Sequence, residues 1–236
     1  MAQYLFIHGR PGSGKSTFAR AITQRYGGES NVETKNDYPI LWEMFAEEQR
    51  HSAVRWPQFR RQEHKGSVGF DILDGQVLRI ALCALNEEAC RHLHEPKLVL
   101  IEFSRNNYID IWNYFSQEIL QNAHFLFVQT PLETCIQRIQ WRVADQSHPE
   151  DDKLVSEEIM RKYYEGDGLI SLRNACQPGH LSVINNGENW SDAWAETQAC
   201  LDEMLYRVAM PHLWSMVGLK WAWPAPQKLR RELPLS

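Results

Sequence analysis

HGRPGSGKST occupies residues 8–17, directly after the apolar run Tyr4–Ile7. Three glycines, a proline and a cluster of hydroxyl side chains are poor material for a helix or strand interior, because glycine loses most chain entropy on ordering and proline lacks an N–H. The stretch is therefore wanted for its backbone shape. Gly9, Gly14, Lys15 and Ser16 satisfy G-x-x-x-x-G-K-[ST], with a buried strand pattern before and a helical pattern after. Successive N–H groups of such a loop form a concave nest at a helix N-terminus, where the dipole and unpaired amides favour a polyphosphate. Gly9, Arg10, Pro11, Gly12, Ser13, Gly14, Lys15, Ser16 and Thr17 are the candidate ATP-binding residues. Lys15 is expected to meet the β- and γ-phosphates, and the Ser16 hydroxyl to be a ligand of Mg²⁺.

Working outward, apolar runs at Tyr4–His8, Asn31–Thr34, Lys97–Phe103, His124–Gln129 and Leu181–Ile184 are short enough for strands. LVLIEF and FLFVQ lack polar alternation, which predicts burial on both faces. Between the runs, residues 15–26, 39–49, 71–92, 108–122 and 132–143 repeat apolar positions every three or four residues, as amphipathic helices do. The alternation predicts an α/β fold, a parallel sheet with helices on both faces. Residues 50–70 read as a basic loop. Residues 208–236, rich in tryptophan and proline, read as a C-terminal extension beyond a domain spanning 1–207.

A chain of 236 residues with 43% apolar content can bury one substantial core. The net charge of −5, with acids and bases interspersed, supplies no global field for nucleic acid or anionic lipid, so an anionic ligand needs a local site. Cys83, Cys90, Cys135, Cys176 and Cys200 are spread singly, which argues for reduced thiols and against a zinc site or disulfide frame. The first strand begins near residue 3, leaving no room for a signal peptide, and no apolar run is long enough to span a bilayer. A soluble cytoplasmic protein is expected.

The second half of the site decides between kinds of nucleotide protein. TKND (Thr34–Asp37) imitates the guanine signature of GTPases, but stands about twenty residues after the glycine loop, far too early in the domain, and no D-x-x-G follows the loop. The strand KLVLIEF carries one acid, Glu102, to the carboxyl edge of the sheet, where ligands of open α/β folds sit. Glu102 is the candidate second holder of Mg²⁺ or the acceptor of a hydroxyl proton, and Arg105 follows on the next turn. Arg138 and Arg142 in RIQWR share a helix face, and Arg161 comes later in EEIMRKYYEGD. Guanidiniums on a closing segment suit the charge spread over a transferring phosphoryl group. Lys15, Glu102, Arg105, Arg138, Arg142 and Arg161 are thus the candidate catalytic residues.

HGRPGSGKST resembles the G-x-P-G-S-G-K-[ST] loop of the nucleoside monophosphate kinase branch of P-loop kinases, which includes adenylate and thymidylate kinases. RIQWR is similar to the R-h-x-x-R pair that opens the adenylate kinase lid. The resemblance implies a three-layer P-loop NTPase fold with a five-stranded parallel sheet, ATP with Mg²⁺ as donor, and a small lid at residues 144–162. It further implies that Arg138 and Arg142 grip ATP and that Arg161 is the later lid arginine. EFSR (Glu102–Arg105) departs from the D-G-x-P-R of adenylate kinases and the D-R-[YFH] of thymidylate kinases, and is nearer to the E-R-S of deoxyribonucleoside kinases. The acceptor insert, residues 36–92, matches none of the family's acceptor signatures.

Within that insert Asn36, Asp37 and Tyr38 follow the second strand, where they either bind the acceptor or cap a helix packed through Ile40, Leu41, Met44 and Phe45. Arg60 and Arg61, with Arg55, Trp56 and Phe59, form a basic aromatic patch suited to an acceptor phosphate or a single nucleic-acid strand. The expected function is ATP-dependent phosphoryl transfer to a small acceptor, a nucleotide or nucleoside first. A hydroxyl of nucleic acid or a modified base is the alternative acceptor, and a non-catalytic ATP-binding module the alternative of another class.

Overall fold

The structure is a computed structural model in which residues 2–25, 30–51, 56–64, 66–109, 111–121, 123–144, 154–177 and 179–187 are described. Five strands, β1 (Gln3–His8), β2 (Val32–Asn36), β5 (Leu98–Glu102), β6 (Ala123–Gln129) and β7 (Leu181–Asn185), form one parallel sheet in the order β2-β5-β1-β6-β7. β1 lies at its centre, so its residues are covered on both faces. Tyr4 and Phe6 join Val99, Ile101, Phe125 and Phe127 on one side. Leu5 and Ile7 join Leu100, Leu126 and Val128 on the other.

Helices complete the outer layers. α1 (Lys15–Arg25) buries Phe18, Ala19 and Ile22 against the second face. α3 (Gly75–Cys90) covers the first with Leu82, Leu85 and Ala89, assisted by the short α4 (Ile111–Tyr114), α5 (Gln117–Gln121) and α8 (Leu169–Ala175). α6 (Leu132–Ala144) packs Cys135, Ile136 and Ile139 against Met160 and Tyr164 of the α7 segment (Glu157–Tyr163 and its C-cap). No helix among the described residues is long and apolar enough to cross a membrane.

Three local expectations are corrected. Residues 50–70 are not all loop: β3 (Phe59–His64) and β4 (Ser67–Ile72) form an antiparallel hairpin turned at Gly66, whose φ of 88° suits glycine. Long polar side chains hid the strands, since Phe59 and Phe70 are the hairpin residues buried in a small core with Leu41, Phe45, Val77 and Ala81, and Val68 and Ile72 pack against it half-buried. Asp71 and Ile72 accordingly belong to β4, and α3 starts later, where the Asp74 carboxylate accepts the Gln76 N–H at 2.9 Å. The expected single helix over 108–122 is divided, because the Asn86 side chain takes the Ser116 N–H at 2.9 Å and the ladder stops there. The extension at 208–236 and residues 145–153 of the lid lie outside the described residues.

At the end of β1, His8 is fully buried against Tyr108, Phe103, Phe6 and Phe125, its ring 4.3 Å from that of Tyr108. Neither ring nitrogen has a hydrogen-bond partner among the described residues. Burial first, then the charges of Lys15 and Arg105, holds its pKa well below the usual value. The folded protein therefore keeps His8 neutral while the unfolded chain protonates it, so stability is lost as pH falls below about 6.5. Thermal unfolding midpoints are expected to drop on acidification from about pH 7.5 to about 5.5, and His8→Leu to flatten part of that slope. An unchanged slope in the variant would take His8 out of the account.

Candidate active site

The glycine loop lies at the carboxyl edge of β1. Gly9, Gly12 and Gly14 have φ of 138°, 78° and 101°, a backbone that other residues rarely adopt. A Cβ at Gly9 would stand 2.5 Å from the Val128 carbonyl oxygen, and one at Gly12 2.5 Å from that of Cys135. The Ser13 carbonyl accepts hydrogen bonds from Asn186 Nδ2 at 2.7 Å and Thr130 Oγ1 at 3.2 Å, which fixes the loop to the ends of β6 and β7. The Tyr108 hydroxyl accepts the N–H groups of Gly9 at 3.1 Å and Arg105 at 3.3 Å. Burial chiefly pushes this phenol up to about 12, so it stays protonated.

The acid of β5 arrives where its strand position predicts. Glu102 stands in register with Ile7 of β1 on one side and Asn36 of β2 on the other. Ser16 Oγ donates to Glu102 Oε1 at 2.8 Å. Lys15 Nζ donates to the Arg10 carbonyl at 2.9 Å. These groups open onto a cleft of about 590 Å³ whose lining includes Pro11, Gly12, Gly14, Lys15, Ser16, Thr17 and Glu102. Arg138 and Arg142 of α6 line it too. Arg138 Nη2 donates to the Asn186 and Gly187 carbonyls at 3.3 Å each, and burial lowers its pKa from the usual guanidinium value.

Asn36, Asp37, Tyr38 and Arg105 reach the same cleft. Asn36 Oδ1 accepts the Tyr38 N–H at 3.1 Å, capping α2 (Tyr38–Arg50). The Asp37 carboxylate turns away from its helix and accepts Arg105 Nη1 at 2.7 Å in a buried ion pair. Nη1 also donates to the Ser104 carbonyl at 2.7 Å, and Nη2 to that of Leu78 at 3.1 Å. Burial works against the charge on Arg105, but Asp37 more than offsets it and the pKa stands above its usual value.

Other candidates are placed elsewhere. Arg161 lies on the exposed side of α7, bonded to Glu133 at 2.5 Å and to Glu157 at 2.8 Å, and does not line the cleft. Arg60 pairs with Asp71 at 2.8 Å and Glu158 at 2.7 Å, and Arg61 with Glu63 at 2.6 Å, and neither is among the residues that line the cleft. Each guanidinium is satisfied by an acid of its own neighbourhood, which sequence spacing could not distinguish from a ligand site. Arg10 turns its side chain from the cleft to the carbonyls of Tyr164 at 2.7 Å, Glu165 at 2.7 Å and Thr130 at 3.0 Å. Ser13 is buried, its hydroxyl without a partner among the described residues.

Three contributors escaped sequence reading. Tyr108 bridges the loop to the β5 turn, and Asn186 holds the loop from the end of β7, a sheet-edge position that was the available signal. Asp71 is buried within a segment read as helix. It accepts Gln62 Nε2 at 2.6 Å and the Ser156 N–H at 2.9 Å, so the hairpin anchors the start of α7.

No protein-family model matches the chain, and no curated protein does. Solved structures do match. A sugar kinase from Janibacter sp. is 16% identical, with a TM-score of 0.52 over 86% of this chain and 95% of that one. A gluconokinase from Sinorhizobium meliloti is 11% identical, with a TM-score of 0.53 over 89% and 97%. Kti12 from Chaetomium thermophilum, solved in complex with ADP-AlF3, is 16% identical, with a TM-score of 0.54 over 87% and 99%. The fold is that of the P-loop kinases. The likeness is one of fold and does not single out the adenylate and thymidylate kinase branch.

Replacing Tyr108 by Phe leaves two buried N–H groups without their acceptor, at a cost of about 1–3 kcal/mol. Urea unfolding of Tyr108→Phe is expected to show that loss with an unchanged m-value. A difference below about 0.5 kcal/mol would mean that both amides find another partner.

Proposed function

We propose that the protein is an ATP-dependent phosphotransferase that moves the γ-phosphoryl group to a hydroxyl of a small acceptor. The observation that carries this reading is the convergence of the loop, the Ser16–Glu102 pair and the Asp37–Arg105 pair on one cleft. A phosphate-binding module alone needs the first of these; transfer needs a second substrate beside it. Kinase neighbours acting on small molecules, as their names state, support the same class.

In this reading the loop amides cradle the phosphates and Lys15 leaves the Arg10 carbonyl to neutralise them. Arg138 and Arg142 approach from α6. Ser16 Oγ and Glu102 Oε1 are hard oxygen donors 2.8 Å apart beside the phosphate nest, a set that fits Mg²⁺, which keeps most of its shell as water and phosphate oxygen. When bound, Mg²⁺ supplies charge neutralisation between the phosphates. Glu102 also stands where an attacking hydroxyl can hand over its proton. Positioning and electrostatics then carry the rate without a covalent enzyme intermediate.

The loop and RIQWR, in resembling nucleoside monophosphate kinases, support a nucleotide or nucleoside as acceptor. The nucleic-acid alternative draws less support from Arg60 and Arg61, each of which is paired with an acid. Residues 1–207 are kept as one kinase domain, and the singly placed cysteines favour a cytoplasmic setting.

ATP consumption followed while nucleosides, nucleotides and sugar alcohols are offered in turn tests the reading. Stimulation by one acceptor is expected, with Lys15→Ala lowering turnover by about a hundredfold or more. Glu102→Gln should lower kcat more than it weakens ATP binding. Tight ATP binding with no response to any acceptor would select the non-catalytic module, and full turnover in Lys15→Ala would remove Lys15 from the mechanism.

A further inference from the structure

The acceptor side of the cleft has a chemistry of its own. It is built by Tyr38 and Leu41 of α2, Phe70 of the hairpin, Leu78 of α3, and Val155 and Ile159 at the start of the α7 segment. Tyr38 and Phe70 lie nearly parallel, 10° apart with centroids 5.6 Å apart, and give this side two flat apolar rings in one orientation. Such walls favour a planar, weakly polar solute over a compact hydrated one.

Charge narrows the class further. Lys15, Arg20, Arg138 and Arg142, four cations of the lining, come from the loop, α1 and α6, on the donor side. Arg105 is the cation of the acceptor side among the described lining residues, and it is already paired with Asp37 at 2.7 Å. Both of its Nη nitrogens donate to protein oxygens. Asp71, the other acid there, takes its positive partner Arg60 from outside the cleft. A phosphate or carboxylate entering this side would meet an Arg105 whose Nη donors are already taken, beside the Asp37 carboxylate, and no free guanidinium fork to receive it. Arg105 Nε, in contrast, is a buried N–H donor without a partner among the described residues. One donor of this kind is matched by one neutral carbonyl or hydroxyl oxygen.

Resting on the phosphotransferase reading above, we infer that the acceptor is an uncharged, planar ring compound bearing a hydroxyl, the chemistry of a nucleoside and not of a nucleoside monophosphate or a sugar acid. The ring packs along Tyr38 and Phe70, a neutral carbonyl or hydroxyl oxygen of the acceptor takes the Arg105 N–H, and the reacting hydroxyl faces Glu102. In the transfer the acceptor oxygen forms its bond to the γ-phosphorus as the bond to the bridging oxygen of ADP breaks. Its proton passes to Glu102 and ADP leaves with the electron pair.

Calorimetric titrations in the presence of Mg²⁺ and a non-hydrolysable ATP analogue test this. The probes are adenosine, guanosine, cytidine and thymidine, each against its own 5′-monophosphate, with gluconate as the sugar acid. At least one nucleoside is expected to bind about tenfold or more tightly than its monophosphate. Asp37→Asn, which keeps a hydrogen bond to Arg105 but removes the neutralising charge, is expected to narrow that ratio by about tenfold. A monophosphate or gluconate that binds as tightly as every nucleoside overturns the inference, as does an analogue-loaded protein that binds no nucleoside. A ratio unmoved in an Asp37→Asn protein of native circular dichroism also overturns it, and if that variant does not fold the wild-type ratio decides alone. Failure of the wild-type protein to bind the ATP analogue is a separate result: it strikes the phosphotransferase reading itself and takes the acceptor class with it.

Discussion

The structure depends on a backbone that passes too close to its neighbours to carry side chains. At Gly9 and Gly12 the missing Cβ atoms leave room for the carbonyls of Val128 and Cys135, and at Gly14 for the amide of Asn186. The left-handed φ values and these close approaches select the same three positions twice over. Around them the parallel sheet acts as a frame, since the residues that crowd the loop stand on β6, at the start of α6 and just beyond β7. The central place of β1 follows, because a loop on an edge strand would have neighbours on one side only.

Much of this frame was legible because it obeys simple periods. All five sheet strands fall on short runs read from the sequence, and LVLIEF and FLFVQ stood out for lack of polar alternation, whereas β2, VETKN, is largely polar and buries Val32 alone. Glu102 could be placed because one acid at the end of a buried strand has one direction to go. What stayed hidden is contact between distant residues. The hairpin was masked by FRRQEH, whose charged side chains satisfy one another and Asp71, and nothing local marks Tyr108 as the partner of Gly9. The arginines show the limit best. Arg138 and Arg161 look alike as residues near a lid, yet one lines the cleft and the other is held in the open by Glu133 and Glu157.

The hairpin contributes Phe70 and Ile72 to the lining of the cleft and also ties that wall to α7. Asp71 receives Arg60, Gln62 and the Ser156 amide together, so a carboxylate buried in β4 organises a guanidinium, an amide side chain and a helix start. At Gly69 a Cβ would collide with Leu154, which shows how closely the strand and the approach to α7 are pressed together. A fully satisfied network of this kind rigidifies, and losing one member leaves the others uncompensated.

Arg10 carries the last consequence. Its carbonyl holds the Lys15 ammonium while its side chain grips the chain just past α7 at Tyr164 and Glu165. One residue therefore touches both the Lys15 ammonium and the chain at the exit of the α7 segment, whose Ile159, Tyr163 and Tyr164 line the cleft. The two contacts leave from opposite ends of one residue, so the glycine loop and the chain that follows α7 are tied together at a single Cα.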